Sequence, residues 1–142
     1  MYVERTFSVS RPIEDVFGYL SDFTTTNEWD PGTRSTTRTS GDGGLGTTYA
    51  NTSEFMGRSV DLTYETITYD APHRVQFRGR NGRTVAMDSM TLTALPDGGT
   101  SIHYRADFEF PFLIRLVAPF VVGRKLPALA DETVEQIRRS LQ

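Results

Sequence analysis

PIEDVFGYLSDFTTTNEWDPG, residues 12–32, is the segment from which the rest of the chain is read. In front of it, Tyr2–Val9 alternates apolar and polar residues, which predicts a half-buried strand running into Ser10-Arg11-Pro12. Ile13, Val16, Phe17 and Leu20 then recur at helical spacing and predict a short amphipathic helix. Pro12 suits the first turn because its missing N–H would have no partner there. Glu14 and Asp15 sit near the positive end of the helix dipole. The chain next crosses Asp22 and Phe23 to its single tryptophan, in Glu28-Trp29-Asp30-Pro31-Gly32.

Outward from this segment the period is that of strands. Arg34–Thr39 leads through the glycine turn Gly41-Asp42-Gly43-Gly44 to Thr47–Phe55. Val60–Tyr69, Arg74–Arg80, Arg83–Leu95 and Thr100–Phe110 follow, each closed by a turn rich in Gly, Pro, Asn or Asp. With Tyr2–Val9 these make seven strands, and their Thr, Val, Tyr and Phe suit a pleated, half-buried surface. Past Pro111 the period turns helical. Leu113, Leu116, Val117, Phe120 and Val121 form one stripe, which Leu126, Ala130, Val134, Ile137 and Leu141 continue. Pro119 and Pro127 predict a kink or break in the first half of this helix.

The hairpins set which residues face inward. Asn81-Gly82 reads as a two-residue turn with both residues at positive φ. That pairs Arg80 with Arg83, Phe77 with Ala86 and Val75 with Asp88, and paired residues share a face. In the next strand Ile102, Tyr104, Ala106, Phe108 and Phe110 alternate with Ser101, His103, Arg105, Asp107 and Glu109. Matching the apolar faces puts Val75, Phe77, Asp88, Met90, Tyr104 and Ala106 on one concave surface. Within Val60–Tyr69 the parity is divided, with Val60, Leu62 and Tyr64 apolar early and Ile67 late. A bulge serves both sets, or one of them faces solvent.

The bulk properties bound the possibilities. A chain of 142 residues is one domain. Its nine Phe, six Tyr and four Met suit either an aromatic-lined cavity or a filled core. The absence of cysteine removes disulfides and thiolate chemistry, and with an N-terminus that lacks a signal-peptide core it predicts a cytoplasmic protein. No apolar run reaches the roughly 20 residues that span a bilayer. A net charge of −3 gives no nucleic-acid footprint. His73 and His103 fall in a turn and on an outward face, so no metal site is expected and no cofactor is called for. Neither histidine serves a nucleophile, and the glycines of 41–46 lack the lysine of a phosphate-binding loop.

Taken with the order of elements, Pro12, Val16, Phe17, Leu20, Asp22, Trp29, Pro31 and Gly32 make the chain resemble the START-like (SRPBCC) superfamily, in particular its polyketide cyclase/dehydrase-like branch. TYETITYDAPHRVQFRG (63–79) and LTALPDGGTSIHYRADFEF (92–110) carry the same resemblance, which covers essentially the whole chain. It implies an α+β helix-grip fold. A curved seven-stranded antiparallel sheet would wrap a long C-terminal helix, two short helices would follow the first strand, and a cavity would lie between sheet and helix. It also implies that Ile67 and Val75 point inward, which would carry Glu65 inward as well.

On this reading Asp88 is the leading chemical candidate, an inward carboxylate between Val75 and Ala106. Without a paired cation or hydroxyl its pKa would rise, giving a general acid or base or a structural carboxylate. Glu65 is a second candidate. Tyr49 and Asn51 share a face and would orient a ligand carbonyl or simply pack. Trp29 would cap the cavity mouth or anchor the short helices. Phe77, Met90, Tyr104, Phe108, Phe110, Leu116 and Phe120 are expected around a common interior space. Arg78, Arg80 and Arg83 make a basic hairpin tip that is solvated or admits an anionic ligand. Three functions fit: binding of a small hydrophobic molecule, a cyclase/dehydratase-type enzyme using the inward carboxylate, and a regulatory or interaction module, a homodimer among its forms, with a collapsed cavity.

Overall fold

A computed structural model of the chain describes residues 1–55, 57–111 and 123–142. Strand β1 (Tyr2–Val9) leads to helix α1 (Ile13–Leu20), a 3-10 turn (Phe23–Thr25) and helix α2 (Thr26–Trp29). Strands β2 (Thr33–Ser40), β3 (Thr48–Phe55), β4 (Arg58–Asp70), β5 (Arg74–Asn81), β6 (Thr84–Ala94) and β7 (Thr100–Glu109) follow, and helix α3 (Leu126–Ser140) ends the chain. All pairings are antiparallel, in the order β1-β7-β6-β5-β4-β3-β2. The expected α+β helix-grip architecture is therefore present. Leu116 and Phe120, and the kink expected at Pro119, lie outside the described residues. Pro127 sits in the first turn of α3, where it opens the helix rather than breaking it.

The sheet's inner face follows the alternation in the sequence. Val75, Phe77, Ala86, Met90, Leu92, Ile102, Tyr104 and Ala106 are all buried. The β5–β6 hairpin turns one residue later than its Asn-Gly dipeptide suggests. Asn81 pairs with Thr84, and Gly82, at φ +57°, takes the first central position of the turn. The Asn81 side chain donates to the Asp61 carbonyl on β4 at 2.7 Å, which holds Asn81 within the strand. Pairings therefore move by two residues, so every side chain keeps its face while partners change. Asp88 lies opposite Phe77, not Val75, and keeps Ala106 on its other side.

In β4 a bulge between Thr66 and Thr68 resolves the divided parity. Tyr64 and Thr66 are buried on the inner face, and beyond the bulge Tyr69 pairs with Val75. Phe17 meets the Tyr69 ring edge-on at 5.2 Å. Glu65 is thus turned outward, opposite Arg78, with its carboxylate 3.9 Å from the Arg78 guanidinium. The inward placement of Glu65 is corrected: the bulge falls after Thr66, so the parity set by Tyr64 holds through Thr66 and turns Glu65 outward.

Phe23 fills one half of the concave face. Its ring lies 4.4 Å from Tyr64, 4.5 Å from Phe77 and 5.6 Å from Tyr49. Helix α3 packs on β1 and α2, burying Leu126, Ala130, Thr133, Ile137 and Leu141 at helical spacing. No helix among the described residues is long and apolar enough to cross a membrane.

Gly79 is required by this packing. A Cβ there would stand 2.5 Å from Tyr64 Cζ and 2.7 Å from both Cε atoms, because the phenol ring lies across the glycine. Tyr64 is pinned on its other side by Phe23, so it cannot simply lift away. Gly79→Ala should cost about 1–3 kcal/mol in urea unfolding, as overpacked cores do. Its effect should shrink when Tyr64 is first shortened to Leu.

Candidate functional site

The site is built around Asp88. Strand parity places this carboxylate on the inner face between Phe77 and Ala106, with Ala86 and Met90 two residues away along β6. Gly79 pairs with Ala86, and Ala86 with Phe108. Gly79, Ala86 and Ala106 thus surround the carboxylate with short side chains, where the rest of the face carries large ones. Asp88 as a residue is only half-buried, although protein surrounds its carboxylate closely. Tyr104, reaching from β7, donates its hydroxyl to Asp88 Oδ1 at 3.0 Å. Tyr64 reaches across Gly79 from β4 with its phenol end foremost. Side chains from β4, β6 and β7 therefore converge over the short residues of β5–β7.

A second carboxylate belongs to the same electrostatic unit. Asp30 follows α2, where its Oδ1 accepts the Gly32 N–H at 3.0 Å and its Oδ2 the Thr33 hydroxyl at 2.8 Å. Burial raises the Asp30 pKa, and these two donors oppose the rise. Asp88 is pushed up to about 7, first by burial, then by the negative charge of Asp30, with the Tyr104 hydrogen bond acting against both and Asp107 adding a smaller push. Two carboxyls in one poorly solvated region resist ionising together. Among the described residues Asp88 has one donor against the two on Asp30, which favours Asp88 as the protonated member. Tyr64 and Tyr104 are raised well above the ordinary phenol range by burial and by the same two carboxylates, so both remain neutral donors.

The other residues singled out in the sequence take up varied positions. Trp29 is buried, gives its indole N–H to the Thr25 hydroxyl at 2.9 Å, and meets Tyr104 edge-on at 6.1 Å. It stands as a wall behind Tyr104 and joins α2 to the sheet. Asn51 is buried in a polar network, donating to Thr36 Oγ1 at 2.8 Å and accepting from Ser53 Oγ at 2.6 Å. Thr36 in turn bonds Thr26 at 2.7 Å, which ties α2 to β2 and β3. Tyr49 packs with Phe23 and Phe77, and its hydroxyl lies beside Thr66 and the Phe23 backbone without a well-formed hydrogen bond. Phe77 and Met90 are fully buried, Phe77 against Phe23. Phe108 and Phe110 are half-buried, stack at 6.2 Å, and meet Leu126 of α3. Glu65 points to the opposite face. Among the described residues no group of three or more His, Asp or Glu side chains is arranged to hold a metal ion.

Two members of the site, Asp30 and Tyr64, were not singled out from sequence. Asp30-Pro31-Gly32 reads as a turn, and its carboxylate is indeed spent on turn donors. Only the packing of α2 against the sheet brings its charge near Asp88. Tyr64 shares the parity of Val60 and Leu62, a signal that existed in the strand but competed with Ile67.

The raised Asp88 pKa fixes the sign of a pH effect. Between about pH 4 and 7 the native state holds a proton that the unfolded chain releases, so stability falls as pH rises through that window. Asp88→Asn should flatten this slope, leaving the variant more stable than the parent at pH 8 and similar at pH 4 by thermal unfolding. Asp30→Asn should lower the Asp88 pKa by removing the like charge, followed by carboxyl carbon NMR titration. An unchanged Asp88 titration in that variant would uncouple the pair.

Comparison with known proteins places the architecture. A conserved protein from Geobacillus kaustophilus superposes with a TM-score of 0.77 at 15% identity, over 99% of this chain and 95% of that one. The Zhui aromatase/cyclase of Streptomyces sp. R1128 gives 0.73 at 17% identity, over 100% and 96%. A norcoclaurine synthase point mutant from Thalictrum flavum, in complex with a transition-state analogue, gives 0.67 at 16% identity, over 100% and 96%. At such identities the likeness is one of fold alone. No curated protein matches the sequence. The family model described as polyketide cyclase / dehydrase and lipid transport matches residues 2–142, and the chain belongs to that family.

Proposed function

We propose that this chain binds a small, mainly apolar molecule carrying a hydrogen-bonding oxygen, in the recess beside Asp88 between the sheet and the C-terminal helix. The single observation that carries this is the half-buried Asp88, bonded at 3.0 Å by the buried Tyr104 and flanked by Ala86 and Ala106 on an otherwise apolar face. A recess of this kind offers apolar contact with a few oriented polar groups, the usual composition of a small-molecule site. Phe108 and Phe110 supply the apolar contact. Neutral Asp88 and Tyr64 supply donors for a carbonyl or hydroxyl oxygen.

Acid–base chemistry on that molecule is the second reading, favoured by the Asp88 pKa of about 7. A group that is half protonated near neutral pH can give and take a proton with little driving force lost, which is what a general acid–base needs. Tyr104 would then hold the carboxyl in one orientation as its charge changes.

Native mass spectrometry of the freshly purified protein tests the binding reading. A non-covalent organic adduct is expected, and it should be weakened in Phe108→Ala, at a half-buried position beside Ala86. Absence of an adduct, together with no saturable heat on calorimetric titration with hydroxylated naphthalenes, would sink it. The catalytic reading is separated by Asp88→Asn, which should bind as the parent does and turn over no substrate of the parent. Turnover retained in Asp88→Asn removes Asp88 as the acid–base.

A further inference from the structure

The convex face of the sheet carries a second concavity, of about 290 Å³, over β5, β6 and β7, on the opposite side from Asp88. Outward parity brings Arg74 and Gln76 of β5, Ser89 of β6, and His103, Arg105 and Asp107 of β7 to its walls. Polar residues on an outward sheet face are ordinary. Here their hydrogen bonding is not, because it leaves donors pointing into one recess with few acceptors to meet them.

Ser89 is the floor. It is 5% exposed, although it belongs to the solvent side of the strand. Thr68 donates its hydroxyl to Gln76 Oε1 at 2.7 Å, and Gln76 Nε2 donates to Ser89 Oγ at 2.9 Å. This relay uses Ser89 as an acceptor, and among the described residues its own O–H meets no protein acceptor. Arg74 bonds Thr91 Oγ1 at 2.7 Å and has no carboxylate partner among the described residues, so most of its guanidinium donors are unspent. Arg105 is held still by two bonds to Asp107, both 3.0 Å, and lies over the Tyr2 ring at 3.8 Å. Those bonds neutralise its charge and fix its remaining N–H groups in place. His103 contributes a ring whose Nε2 is engaged by Glu4 at 2.9 Å.

We propose that this recess is a binding site for a compact oxyanion, a phosphate or carboxylate group, held by the Arg74 guanidinium and the Ser89 hydroxyl, with Arg105 as a flanking donor and His103 as a wall. Arg74 gives the uncompensated positive charge. Ser89 gives a buried, pre-oriented donor at the base. Asp107 is already bound on both oxygens by Arg105, so it opposes an incoming anion less than a free carboxylate would. The site is separate from the concave recess and stands whether or not that one binds a ligand.

Inorganic phosphate, titrated at constant ionic strength into nitrogen-15-labelled protein, tests this. Saturable amide shifts at Ser89, His103 and Arg105 are expected, and Arg74→Gln should weaken them about tenfold, as the loss of a charge-assisted hydrogen bond does. Ser89→Ala should weaken binding too, while Arg83→Gln at the distant hairpin tip and Asp88→Asn should leave it unchanged. A parallel titration with acetate distinguishes the sources. Saturation by phosphate alone assigns phosphoryl compounds, and saturation by acetate alone or by both assigns carboxylates or oxyanions generally. Shifts that rise linearly with both salts, or an affinity untouched in both Arg74→Gln and Ser89→Ala, would overturn the site.

Discussion

The insertion of Phe23 against Tyr64 and Phe77 is the constraint on which the rest of the molecule turns. The seven-stranded sheet presents a broad concave face to the helices described. Phe23, carried on the 3-10 turn after α1, fills the half of that surface formed by β3, β4 and β5 with close aromatic contacts. Close packing there leaves no allowance for an extra atom, hence the bare glycine under Tyr64. Over β6 and β7 the large inner side chains are interrupted by Ala86, Asp88 and Ala106, and Trp29 of α2 stands edge-on to Tyr104. The half-buried Asp88 lies on this second half.

The same division explains the electrostatics. Asp88 is charged at a cost because the surrounding side chains cannot solvate it, and its one donor, Tyr104, is itself pressed against Trp29. Asp30 lies in the turn that follows Trp29, so the element that positions the tyrosine also delivers the opposing charge. A carboxyl titrating near neutrality thus arises from ordinary packing of α2 on the sheet. Such departures from the usual polar-outside rule concentrate where proteins bind or react.

Much of this was legible in the sequence. The inner faces of β5, β6 and β7 follow from strict alternation, and the inward Asp88 with Ala106 beside it was readable before any coordinates. The Asn81 hairpin shows why faces survive where partners do not. A side-chain bond from Asn81 to β4 moved the turn by one residue, and the pleat's period of two kept each side chain on its side. Strand β4 was not legible, because a bulge carries no residue signature in a run as rich in Thr and Tyr as this. The outward Glu65 follows from where that bulge falls. Nor could the sequence bring Asp30 to Asp88, since their approach depends on the tertiary seat of α2. The polar relay Thr68–Gln76–Ser89 spans three strands and becomes visible only when they are side by side.

Trp29 is the only indole in the chain, and it is buried edge-on to the tyrosine that holds Asp88. Its excited state therefore samples one small volume of the protein and little solvent. A proton leaving Asp88 changes the electric field across that ring, and field changes of this kind shift indole emission. The molecule has, in effect, an optical voltmeter built into the wall of its candidate site. The charge state of the Asp88–Asp30 unit is thereby expected to register in the emission of one indole, with no label added.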